Sequence, residues 1–345
     1  MQHGSQKTSI LPQNVHPPTH LATSLPLLPA NLPPQTGKVI IITGSTSGLG
    51  LELATILYSA GATVYLAARD ATKAHALITS LTTNTPPNAY TRSPPTPGTL
   101  HYLPLNLSDL RTIKPFVTQF LSQESRLDLL FNNAGVASMP TTSLTAQTLE
   151  PHLGTNCVGP YLLTHLLSPI LTTTATNPTT PANSVRVICS SSMLVDVLAP
   201  PEGVPPADLE NSNPDINRNY AVSKTGNWFL ADRFAKKLGP KGVVSLTQNP
   251  GNIYTKIFDN APLLTVWLSK PIYYSPKEGV NTLLWAGFAD EVTVEDGGRY
   301  VIPFGRWHPA PRGDLVEAIR DVDEGGKGFA EGFERWCEGV SREFR

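Results

Sequence analysis

The segment Tyr220-Ala221-Val222-Ser223-Lys224 places a phenol and an ammonium four residues apart, on one face of a helix. A neighbouring cation favours the phenolate and draws a tyrosine pKa down from ~10 towards neutrality. Such a phenol can give a proton to a forming alkoxide or take one from an alcohol. The same spacing recurs from Tyr273 to Lys277, but Pro276 lies inside it, so those side chains straddle a helix start and do not share a face. A second group is Ser190-Ser191-Ser192, at the end of an apolar run. A serine there can hydrogen-bond a substrate carbonyl, or it can cap a turn. A third is Asn132-Asn133-Ala134-Gly135, where small residues and amides can pass close to a ligand. An ordinary Asn/Gly turn would have the same composition.

These groups must be held against something, and the Gly-rich stretch Thr43-Gly44-Ser45-Thr46-Ser47-Gly48-Leu49-Gly50 indicates what. The apolar, β-branched run Lys38-Val39-Ile40-Ile41-Ile42 before it reads as a buried strand. Leu51 to Ala60 after it reads as a helix stopped by Gly61. Glycines at this strand-to-helix turn allow close backbone approach, and the helix N-terminus offers free N–H groups to a pyrophosphate. With its flanking elements, the turn points to a dinucleotide.

Strands and helices alternate from there. Strands are predicted at Thr63–Ala67, Leu100–Leu105, Leu127–Phe131, Val185–Cys189, Val243–Thr247 and Arg299–Ile302. Pro104 marks the third strand as an edge. Helices are predicted over Asp70–Leu81, from the Ser108-Asp109 cap to about Gln123, Thr145–Leu171, Asn219–Leu238 and from Ser275-Pro276 onward. A Pro-rich loop spans 198–217, and the C-terminal segment 312–344 reads as helical. This is an α/β chain: a doubly wound parallel sheet of about seven strands, in a single domain over 37–345. Residues 1–36, rich in Pro, Thr and Ser, read as a loosely ordered arm.

Composition narrows the function. The 345 residues carry a net charge of −1 and no long basic run, against nucleic acid or an anionic membrane as the main partner. No stretch reaches the ~18 apolar residues of a transmembrane segment. Cys157, Cys189 and Cys337 are odd in number and far apart. They suit no disulfide framework, so a reducing compartment, the cytoplasm, is expected. No metal site is expected from the histidines.

The ordered set Thr43-Gly44-x3-Gly48-x-Gly50, Asn132-Asn133-Ala134-Gly135, Thr155-Asn156-Cys157-Val158-Gly159, Ser192, Tyr220-x3-Lys224 and Asn249-Pro250-Gly251 resembles the short-chain dehydrogenase/reductase family over about Lys38 to Val301. The long gap between Ser192 and Tyr220 and the tail from Gly298 to Trp307 look like fungal and retinol-dehydrogenase-like members. The resemblance implies a Rossmann-like fold and a catalytic set of Tyr220, Lys224, Ser192 and Asn156. Tyr220 would donate the proton, Lys224 would bind the nicotinamide ribose and lower the Tyr220 pKa, and Ser192 would polarise the carbonyl. Asn156 would hold a relay water behind Lys224. Cofactor contacts would come from Gly44, Ser45, Thr46, Ser47, Gly48, Leu49 and Gly50, from Asn106 and Leu107, and from Asn133, Ala134 and Gly135. Tyr220, Lys224, Pro250, Gly251, Ile253 and Thr255 would hold the nicotinamide end. The family often pairs two copies through the helices holding Asn156 and Tyr220.

At the end of the second strand an NAD site wants a carboxylate, and an NADP site wants a cation. Here Ala68 is followed by Arg69, and Asp70 serves as a helix cap, so NADP(H) is expected over NAD(H). Asn106 stands where the family usually has Asp, which weakens the adenine contact in charge. The segment 256–274 carries Leu263, Leu264, Val266, Trp267, Leu268, Ile272, Tyr273 and Tyr274, an apolar lid suited to a hydrophobic small-molecule substrate. The expected activity is carbonyl–alcohol interconversion on a lipophilic molecule, with secondary-metabolite tailoring as its setting by analogy. The rival is a non-catalytic dinucleotide-binding sensor or scaffold, which would have no need of the Tyr220–Lys224 pairing.

Overall fold

The computed structural model describes residues 27–84, 96–210, 212–253 and 274–345. Among these, β1 (Val39–Thr43), β2 (Thr63–Ala68), β3 (Thr99–Pro104), β4 (Leu129–Asn132), β5 (Val185–Ser190), β6 (Val243–Gln248), β7 (Tyr300–Ile302) and β8 (Arg306–Trp307) form one sheet. Its order is β3-β2-β1-β4-β5-β6-β7-β8, and only the β7–β8 pair is antiparallel. β3 is the edge strand, as its Pro104 requires. The two-residue β8 escaped the sequence reading because it is too short to show periodicity.

β1 is buried along its whole length, and its alternate residues face opposite layers. Val39 and Ile41 pack with Phe116, Tyr161, Phe229 and Phe333; Ile40 and Ile42 pack with Leu53, Leu57, Leu283 and Trp285. The helices that cover these faces are α1 (Gly48–Ser59), α2 (Ala71–Asn84), α3 (Ile113–Leu121), α4 (Gly159–Thr176), α5 (Leu194–Leu198), α6 (Pro206–Glu210), α7 (Ile216–Leu238), α8 (Pro276–Phe288), α9 (Gly313–Ile319) and α10 (Phe329–Ser341). Asp70 caps α2 by accepting from the Lys73 N–H at 3.0 Å, and Ser275 with Glu278 forms a capping box on α8.

Two boundaries differ from expectation. The helix predicted from Thr145 begins at Pro151, where Glu150 accepts from the Leu153 N–H at 2.7 Å. Residues before it fold as turns, with Thr145 N–H bonded to Leu149 O and Thr148 in the left-handed region. The turn Pro151–Leu153 then continues through a π-helical stretch, Gly154–Val158, into α4. The C-terminal segment is broken into α9 and α10 by a turn held by Lys327 N–H on Glu317 O. The described end of the N-terminal arm is docked: Leu32 is buried and Gln35 N–H bonds Ala60 O at 2.7 Å. The predicted lid lies outside the described residues except for Tyr274.

Candidate active site

Strand order reverses between β1 and β4, and ligands of such sheets bind at that point, beyond the strand carboxyl ends. A cleft of about 370 Å³ lies there. Thr43 ties its two sides together: its Oγ1 accepts from Asn133 N–H (3.0 Å) and Ala134 N–H (2.9 Å) and donates to Phe131 O. Asn133 returns the link by donating from Nδ2 to Thr43 O at 3.0 Å. Gly44 and Gly48 have positive φ (67° and 54°), which the tight turn requires. A Cβ on Gly44 would fall 3.0 Å from the Ala134 Cα, and one on Gly50 would fall 2.4 Å from Gly44 O. Ser47, at the N-cap of α1, makes no side-chain cap. The first N–H groups of α1 therefore remain available to an anion.

Gly44, Thr46, Ser47, Gly48, Leu49, Arg69, Asn106, Leu107, Asn133, Ala134, Gly135 and Lys224 all line this cleft. Ser45 does not: it is fully buried behind the turn. Gly50 shapes the turn from behind, where Asn133 Nδ2 leaves no room for a side chain. Asn106 spends its Oδ1 on the backbone and hydroxyl of Ser108, at 3.3 and 2.8 Å. Pro250, Gly251 and Ile253 follow β6, and Ile253 is buried against Gly279 of α8, close to Leu49. Thr255 lies outside the described residues. Lys73 was missed; it lines the cleft beside Arg69 and pairs with Asp70 at 3.1 Å. Its position one turn into α2 was the available signal. Arg69 is exposed and has no ion pair or hydrogen bond among the described residues.

Of the reactive groups, Lys224 lines the cleft, whereas Ser192, just after β5, and Tyr220, on α7, are not among its lining residues. The three serines separate cleanly. Ser190 is buried and accepts from Gln248 Nε2, and Ser191 donates to Lys224 O at 2.8 Å. Ser192 remains: its Oγ accepts from Leu194 N–H at 3.3 Å and lies near enough to the Tyr220 phenol to lower its pKa. Lys224 is buried, donates from Nζ to Ser190 O at 3.0 Å and lies 5.6 Å from the Tyr220 ring centre.

The acid–base balance differs from the expected one. Burial pushes the Tyr220 phenol up to about 12, against the lowering effect of Ser192. By surface area the Tyr220 residue as a whole is half-buried. Burial also brings Lys224 down to about 8. Desolvation thus dominates both groups, and Tyr220 keeps its proton at neutral pH.

Asn156 is fully buried. Its Nδ2 donates to Val136 O (3.0 Å) and Ser223 Oγ (3.0 Å), and its Oδ1 accepts from Val136 N–H (2.8 Å). Both amide hydrogens are committed, so the side chain braces the loop after β4 against α7 and has no donor left for a relay water. Cys157, Cys189 and Cys337 are free, buried thiols. Burial pushes the Cys189 thiol up to about 12. Among the described residues no cluster of potential ligands could hold a metal, and no helix is long and apolar enough to cross a membrane.

A parallel sheet with a glycine cradle, an uncapped helix N-terminus and a Ser192–Tyr220–Lys224 group defines a nucleotide-dependent oxidoreductase site, and the chain belongs to the short-chain dehydrogenase/reductase family. Residues 38–193 match the family model described as short chain dehydrogenase. The chain is 41% identical over 305 residues to the short-chain dehydrogenase/reductase iacJ of Pestalotiopsis fici, covering 88% of this chain and 90% of that protein. It is 33% identical over 258 residues to human retinol dehydrogenase 12, covering 74% of each. In three dimensions it resembles the crystal structure of an uncharacterised protein from Mycobacterium paratuberculosis, with a TM-score of 0.64, 25% identity, and 92% and 98% of the two chains covered. It is an enzyme acting on CH–OH and C=O groups, in a family that uses NAD(P) cofactors.

Proposed function

We propose that this enzyme is an NADP(H)-preferring oxidoreductase that interconverts a carbonyl and an alcohol on a lipophilic small molecule. The observation that carries this reading is that one cleft holds both Lys224, one helical turn from Tyr220, and Arg69, which is free of partners among the described residues. The glycine cradle and the open N–H groups of α1 would hold the pyrophosphate, and Arg69, aided by Lys73, the adenosine 2′-phosphate. Lys224 would bind the nicotinamide ribose through the protons not spent on Ser190 O. When bound, the nicotinamide supplies or accepts the hydride.

This chain's own residues handle the proton and the orientation. Tyr220, protonated at neutral pH, gives its phenolic proton to the nascent alkoxide oxygen in reduction. Ser192 orients the same oxygen by a hydrogen bond and, through its contact with the phenol, eases loss of that proton. Asn156 acts behind them as a brace on Val136 and Ser223. For the substrate, Tyr274 and Phe304 form an exposed edge-to-face pair, with ring centres 5.1 Å apart, beside Gly251. This supports an apolar mouth. Analogy with the fungal relatives suggests a tailoring step in secondary metabolism, and the free buried thiols suit the cytoplasm. α10 lies on α7, with Phe333 against Gly226.

The test is a titration with NADPH and NADH, followed by cofactor fluorescence, on wild type and Arg69→Ala. Tighter NADPH binding that falls about tenfold or more in the variant, with NADH binding unchanged, is expected. Equal binding of both nucleotides to both proteins would refute the preference. Tyr220→Phe is expected to bind NADPH normally while losing turnover of long-chain aldehydes.

A further inference from the structure

Ser192 is placed by a strap that the catalytic set does not include. α5 begins two residues after Ser192, and three side chains from β7 and the stretch that follows it hold this region. Tyr300 Oη donates to Ser192 O at 2.8 Å and lies 3.4 Å from Ser191 Oγ. His308 Nε2 faces Asp196 Oδ2 at 3.3 Å, with Nδ1 accepting from Ala310 N–H. Arg312 donates to Ala199 O at 2.8 Å.

Tyr300 is the part of this strap closest to the chemistry. It is only 2% exposed and sits in an aromatic stack, between Trp228 (5.1 Å) and His308 (5.6 Å), with near-parallel rings on both sides. Trp228 follows Lys224 by four residues and Tyr220 by eight, so it shares their face of α7. Its Nε1 is pinned to Gly298 O at 2.9 Å. A chain of contacts results: Tyr220 to Trp228 along α7, Trp228 to Tyr300 by stacking, and Tyr300 to Ser192 by a hydrogen bond. This chain fixes the serine with respect to the helix that carries the tyrosine. Without the Tyr300 hydroxyl, Ser192 O keeps only the Val195 N–H at 3.1 Å, and that bond belongs to the same turn and moves with it.

We propose that Tyr300 is a positioning residue that sets the Ser192 hydroxyl against Tyr220. The inference rests on the assignment of Ser192 as the carbonyl-orienting group. Tyr300→Phe isolates it, because the stacked ring stays and only the hydroxyl is lost.

The test is a double-mutant cycle on the full chain with NADPH bound and tyrosine labelled with 13C at Cζ, the Tyr220 signal being assigned by Tyr220→Phe. Tyr300→Phe and Ser192→Ala are each expected to displace the Tyr220 signal. The double variant is expected to match Ser192→Ala alone, because Tyr300 acts only through the serine. With NADPH and nonanal as the probe carbonyl, Tyr300→Phe is expected to lower kcat about tenfold with KM little changed. An undisturbed Tyr220 signal in Tyr300→Phe, or displacements that simply add in the double variant, overturns the proposal while leaving the Ser192 assignment intact. An undisturbed signal in Ser192→Ala overturns the assignment itself, and the proposal with it.

Discussion

Lys224 is costly to the fold that carries it, and replacing it should stabilise the protein while disabling the site. The ammonium is 4% exposed, and burial lowers its pKa from 10.5 to about 8. That drop corresponds to about 3 kcal/mol of destabilisation whenever folded and unfolded chains are both protonated. The folded pKa lies below the unfolded one. The cost is therefore fully present below pH ~8, shrinks as the folded lysine loses its proton, and disappears above pH ~10.5. Lys224→Met keeps the volume and removes the charge. It forfeits one hydrogen bond, to Ser190 O, worth about 1 kcal/mol, but Asn227 Nδ2 still satisfies that carbonyl at 2.8 Å. The net expectation is a variant about 2 kcal/mol more stable than wild type at pH 7. Urea unfolding of the cofactor-free proteins at steps between pH 6.5 and 9.5 measures it (~0.5 unit apart resolves the window). The gap should be widest at the acid end and narrow towards pH 9.5, while turnover falls at least about a hundredfold. A less stable variant at pH 7, or a gap independent of pH, would refute the reasoning.

Other positions give sharp outcomes. Gly50→Ala should raise the NADPH Kd more than about tenfold, because its Cβ would sit 2.4 Å from Gly44 O and 2.8 Å from Asn133 Nδ2. Fluorescence titration checks it. Gly226→Ala should cost about 1–3 kcal/mol in denaturant unfolding, because its Cβ would lie 2.8 Å from the Phe333 ring and 3.0 Å from Cys157 Sγ. Adding Phe333→Leu should recover part of the loss. Arg186→Met should cost about 2–4 kcal/mol, because the buried guanidinium donates to the carbonyls of Asn183, Ala286, Ala289 and Val292. Hydrogen exchange should show the loss first at the carboxyl end of α8.

The sequence by itself determined what depends on neighbours in the chain. β1 and its glycine turn are legible because β-branched burial and positive φ are written in residue types a few positions apart. The Asp70 and Ser275 caps, the edge position of β3 and the shared face of Tyr220 and Lys224 are local in the same sense. The tertiary structure alone decided what depends on packing between distant segments. It chose Ser192 among three adjacent serines, because strand register turned the hydroxyls of Ser190 and Ser191 onto Gln248 and Lys224. It committed both Asn156 amide hydrogens to Val136 and Ser223, and set Tyr300 on Ser192 from 108 residues away. It also reversed the expected shift of Tyr220. The i, i+4 spacing announces a cation near the phenol, but desolvation is set by everything folded around both groups, and no local pattern encodes that.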